Sequence, residues 1–121
     1  MEEATIMEKF LGMLGQIKVY HWATSSYSKH KALDELHGSL SDLVDKFVEV
    51  YIGKFKKQPL KVFKISMDAH SDTTKLDKYL ETERETLRKM HGQFGKTSEL
   101  QNILDEMMAA FDQAIYLCYL S

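Results

Sequence analysis

The chain has 121 residues, 44% of them apolar and 28% charged, with a net charge of −2. Such a length fits one domain, residues 1–121, with enough apolar side chains to bury a core unaided by staples. The balanced charge gives no general pull towards nucleic acid or an anionic membrane, and the lone Cys118 excludes an internal disulfide and fits a reducing compartment.

No apolar run approaches the roughly 18 residues that span a bilayer. The opening MEEATIMEKF is acidic, where a secretory leader would be basic. A cytoplasmic protein without membrane contact is expected. The single Pro59 and the lack of alternating β-branched runs predict an all-α fold.

Helical periodicity marks a first helix over 3–24, with Ile6, Phe10, Leu14, Ile17 and His21 on one stripe. Ser25, Ser26 and Ser28 then offer N-caps for a second helix over 28–52, which should stop before Gly53. Its core stripe is Leu33, Leu36, Leu40, Leu43, Phe47 and Val50. A connection over 53–72 follows, containing KFKKQPLKVFK. Its Phe55, Leu60, Val62 and Phe63 suggest a loop packed on the helices with its lysines in water, and no nucleic acid is expected there.

A third helix over 73–91 carries Leu76, Leu80, Leu87 and Met90, and ends at Gly92–Gly95. Ser98 should cap a fourth over 99–120, with Ile103, Met107, Phe111, Ala114 and Cys118 inward. Tyr116 and Tyr119 are expected as core and interface filler, and Asp105, Glu106 and Asp112 as an exposed acidic face. Two short turns flanking one long crossover between helices 2 and 3 describe a ferritin-like four-helix bundle.

The second helix also carries a polar stripe. His30, Asp34, Asp45 and Glu49 are spaced by four, eleven and four residues. Each i,i+4 pair shares one face, but the pairs lie about 16 Å apart along the helix. One metal ion with bonds near 2 Å cannot be held by both pairs of one chain. A shared metal would need a second helix running antiparallel to the first. His37, Ser41, Val44 and Val48 fall on or beside the stripe, a mixture suited to contact with a partner subunit. His21 can approach His30 where the first two helices join.

Here the chain resembles the Dps-type mini-ferritins, the DNA-protection proteins of starved cells. The resemblance covers residues 11–53 and is carried by His21–Trp22, His30, Asp34, Asp45 and Glu49. It implies a homodimer through helix 2, within a larger shell in that family. It further implies a ferroxidase centre between two antiparallel second helices, oxidising Fe(II) with peroxide or dioxygen and sequestering Fe(III). His21, His30 and Asp34 would come from one subunit and Asp45 with Glu49 from its neighbour. Trp22 would lie beside the site, with His37 as an outer partner or a surface residue.

The chain departs from the family in three ways. The segment from His21 to His30 is about three residues shorter, the crossover is too short for the family's small extra helix, and no lysine-rich tail is present. No Glu-x-x-His occurs, which excludes the intrasubunit di-iron site of true ferritins. Imidazole and carboxylate donors suit iron. The same residues could instead form a hydrogen-bonded interface without metal, in a non-catalytic ferritin-like scaffold or interaction protein. His70 and His91, near helix ends, are expected at the surface, and Cys118 buried and inert.

Overall fold

The computed structural model describes residues 1–69 and 73–121. Four helices, α1 (Glu3–Ala23), α2 (Tyr27–Phe55), α3 (Thr73–Gln93) and α4 (Ser98–Leu120), account for the regular structure, and no strand occurs among the described residues. None of the helices is long and apolar enough to cross a membrane.

Contacts across the chain fix the direction of each helix. Lys29, near the start of α2, lies 3.5 Å from Asp77, near the start of α3. It also reaches the Cys118 carbonyl, near the end of α4, at 3.4 Å. At the opposite end Lys54 of α2 pairs with Glu99 of α4 at 3.3 Å. The four helices therefore run up, down, down, up. α2 packs against α1 and α4, and α3 against α4, while α1 and α3 barely touch. Among the described residues the parallel pair α2 and α3 is diagonal.

The predicted stripes point inward, with Phe10, Ile17, Leu33, Leu40, Phe47, Leu80, Leu87, Met90 and Phe111 fully buried. Phe10 and Phe47 meet edge to face at 5.1 Å, a favoured arrangement of ring quadrupoles. Leu14, Leu43 and Val50 are only partly buried. Tyr116 and Tyr119 are exposed rather than filling the core.

Caps correct the expected boundaries. Ser26 is the N-cap of α2, its hydroxyl accepting from the Lys29 N–H at 3.3 Å. At the start of α4 the cap is Thr97, not Ser98, and its side chain makes no cap hydrogen bond. α2 runs past Gly53 to Phe55 and ends on Lys56 in the left-handed region, φ 58° and ψ 34°. Glycine is the usual occupant of that position, and a residue with a Cβ pays about 1 kcal/mol there.

After Lys56 the chain lies as an extended strap along α1. The Gln16 amide donates to the Asp68 carbonyl and its oxygen accepts from the Asp68 N–H, both at 2.8 Å. The Lys64 N–H donates to Glu8 at 3.4 Å. Residues 8–16 of a helix and 64–68 of extended chain each cover about 12–13 Å, so strap and helix advance together. Gly12 and Gly15 form the seat. A Cβ on Gly15 would lie 2.6 Å from the Met67 sulfur, and one on Gly12 3.6 Å from Ile65. Of the four apolar residues expected to pack here, Phe63 packs on the core, whereas Phe55, Leu60 and Val62 are exposed.

Gln16 is 7% exposed, so its two bonds to the strap are shielded. Gln16→Ala is expected to cost about 1–2 kcal/mol in urea unfolding and to speed proteolytic cleavage within 57–69. Equal cleavage rates in variant and wild type would show that Gln16 does not hold the strap.

Candidate functional site

The turn over 24–26 folds the last turn of α1 against the first turn of α2, and this brings His21 to His30. Their rings stack with centroids 3.8 Å apart and planes 16° from parallel. Each ring also bonds to the other residue's backbone. His21 Nδ1 donates to the His30 carbonyl at 2.7 Å, and His30 Nδ1 donates to the His21 carbonyl at 2.8 Å. A carbonyl can only accept, so the hydrogen sits on Nδ1 and each neutral ring keeps its lone pair on Nε2. Metal-binding histidines are commonly oriented by this same Nδ1–carbonyl bond.

Asp34 stands one turn beyond His30. Its Oδ1 lies 3.9 Å from His21 Nε2, too far for a hydrogen bond, and its side chain is 55% exposed. His37, one turn further, is half-buried. Burial and the Lys18 ammonium push its pKa down, opposed by Asp34. Lys18, on α1, gave no signal in the sequence because its role depends on how α1 and α2 cross.

Of the five candidate ligands, His21 is thus brought against His30 and, at 3.9 Å, towards Asp34. Asp45 and Glu49 are not brought to them. They lie further down the same helix, exposed and without a hydrogen bond or ion pair among the described residues. Among those residues no group of three or more His, Cys, Asp or Glu side chains is placed to hold a metal ion. Trp22 follows His21 but is 71% exposed, while Tyr27 sits 6.5 Å from the His30 ring.

Other titratable groups pair off elsewhere. Asp112 bonds to Arg84 at 2.9 Å and Asp105 to His91 at 3.1 Å, so two of the three acids expected as an exposed acidic face form bridges to α3, and His91 is only partly exposed. Burial pushes the Cys118 thiol up, in keeping with an inert core cysteine. Tyr20 and Tyr79 meet edge to face at 5.3 Å between α1 and α3, and burial raises both phenols. His70 lies outside the described residues.

The fold and this junction define a four-helix-bundle protein with a paired-histidine clasp between its first two helices. The chain belongs to a family of unknown function, DUF5856, which matches residues 21–118 and so begins at the first histidine of the clasp. It is similar to an uncharacterized 14.6 kDa protein from the mobD–ri intergenic region of Enterobacteria phage T4. The two are 29% identical over 115 residues, covering 91% of this chain and 85% of the phage protein. No solved structure matches the chain.

The direction of the His37 shift sets a pH dependence. Its folded pKa lies below the free value of about 6.5, so protonation opposes folding. The penalty is absent above that value and grows as pH falls through it towards the lower folded pKa. Between about pH 7 and pH 5, His37→Asn should therefore lose less melting temperature than wild type does. Parallel melting curves for the two proteins would contradict this.

Proposed function

We propose that the protein is a small Dps-like iron-binding ferroxidase, with Fe(II) as substrate at a site completed by two copies of the chain. The observation that carries this reading is the clasp. Both imidazoles are fixed by their Nδ1–H bonds, which leaves each Nε2 lone pair open, that of His21 lying 3.9 Å from the Asp34 carboxylate. Nitrogen and carboxylate donors with open positions suit Fe(II), and the oxygen donors favour the Fe(III) product.

The second half of the donor set would be Asp45 and Glu49 of the other copy. The numbering of the stripe is symmetric about its centre. In an antiparallel pairing of α2 with itself, His30 faces Glu49, Asp34 faces Asp45, and Gly38 faces Ser41. Small residues at the crossing point let two helices approach closely, and an added Cβ on Gly38 meets nothing within 4 Å. A two-fold pairing of this kind is isologous, so each dimer would have two sites. In each, the histidines and Asp34 would bind and orient the iron, and the carboxylates would balance the charge gained on oxidation.

Mixing two inactive variants tests the sharing. Asp34→Asn and Glu49→Gln alter exposed carboxylates on opposite halves of the site, and each alone should oxidise Fe(II) no faster than buffer. Unfolded together and refolded, about half the dimers are mixed and carry one intact site of two. About a quarter of wild-type activity should then return. Variants as active as wild type, or a mixture as inactive as its parents, would overturn the proposal.

A second reading, a non-catalytic scaffold or interaction protein, is favoured by the clasp's own structural effect, since it ties α1 to α2 without any metal. Melting of Asp34→Asn/Asp45→Asn with chelator present separates the two. On the ferroxidase reading the close carboxylates repel one another in the metal-free dimer, so the variant melts no lower than wild type, and iron stabilises only wild type. On the scaffold reading the carboxylates are paired at the interface, and losing them costs about 3–5 kcal/mol.

A further inference from the structure

The net charge of −2 conceals an uneven distribution. From 50 to 67 the chain has no acidic residue but carries Lys54, Lys56, Lys57, Lys61 and Lys64. Lys54 is paired with Glu99, and Lys57 lines a hollow together with Glu2 and Glu3. Lys56, Lys61 and Lys64 are exposed, and their ammonium groups have no ion-pair partner among the described residues. Their backbones are engaged at two points, the Lys56 N–H by the Ile52 carbonyl and the Lys64 N–H by Glu8.

Lys56 adds an independent observation. It occupies the left-handed position that ends α2, where glycine would sit free of strain. A lysine at a strained position points to a use for its side chain, and its ammonium stands where the strap leaves the bundle.

The same segment exposes apolar side chains between its lysines. Leu60 is 55% exposed and Val62 84%, with Phe55 at 40%. The phosphate backbone of a nucleic acid would leave Leu60 and Val62 without a partner. An anionic bilayer matches both features, because ammonium groups meet headgroup phosphates and carboxylates while apolar side chains enter the acyl boundary. We propose that the end of α2 and the first part of the strap, residues 55–64, dock on an anionic phospholipid surface, with Lys56, Lys61 and Lys64 at headgroup level and Leu60 and Val62 beneath them. The sequence expectation of no membrane contact rested on the lack of a spanning apolar run and on charge averaged over the whole chain, and neither bears on a local surface contact by the strap.

The test is co-sedimentation of the full chain with vesicles of phosphatidylcholine containing roughly a third phosphatidylserine, against phosphatidylcholine alone. Binding is expected only to the anionic vesicles and should weaken as salt rises. Lys56→Gly relieves the strained backbone, so the variant should melt at the same or a higher temperature, yet partition about five-fold less. Leu60→Ser/Val62→Ser should lower partitioning by about ten-fold or more with its salt dependence retained. Absence of binding to the anionic vesicles would overturn the proposal, as would partitioning indifferent to either variant. Retention on duplex DNA as strong as on vesicles, and unaffected by the serine substitutions, would replace it with a simple polyanion contact.

Discussion

Because α2 and α3 begin at the same end of the bundle, the chain must travel the length of α1 in extended form before α3 can start. Much else in the structure depends on this. An extended segment needs a surface to lie on and partners for its backbone, and α1 supplies both. Gly12 and Gly15 make room for Ile65 and Met67, and the Gln16 side chain takes up the Asp68 N–H and carbonyl together. At the far end Lys29, buried at 6% exposure, draws the starts of α2 and α3 and the end of α4 to one point.

Most of the helical architecture was legible in the sequence because it rests on apolar periodicity, a signal spread over many residues. Leu76, Leu80, Leu87 and Met90 on α3, and Ile103, Met107, Phe111 and Ala114 on α4, needed only their spacing to be placed. The long crossover was legible by elimination, since a single stretch lacked helical pattern. Features decided by contacts between distant segments were not. The overrun of α2 past Gly53 opposes local propensity, and the seat on α1 depends on two glycines whose partners lie some fifty residues away. Tyr116 and Tyr119 face solvent rather than the core, a choice between core and surface that residue type alone does not make.

The candidate site divides along the same line. The four–eleven–four spacing on α2 could be read directly, and so could the approach of His21 to His30. The clasp could not, because each imidazole is held by a backbone carbonyl, and carbonyls carry no residue-type information. That detail turns two nearby histidines into two rings of fixed tautomer. The symmetric numbering of the stripe about Gly38 and Ser41 was present in the sequence, but the open space around Gly38 was not, since it depends on where the other helices lie.

The paired bonds from Gln16 to Asp68 make that side chain behave like a peptide unit of a neighbouring strand. The register of the strap is consequently measured from α1, near residue 68, rather than counted outward from the end of α2. Chain between 58 and 62, ahead of the anchored Phe63, is therefore slack: residues added there would lengthen a surface bulge without moving Met67 from its notch or shifting the start of α3. Closure entropy grows only with the logarithm of loop length, so relatives could differ in this stretch by several residues while sharing one bundle. A small folded domain or affinity tag could be spliced in at the same place.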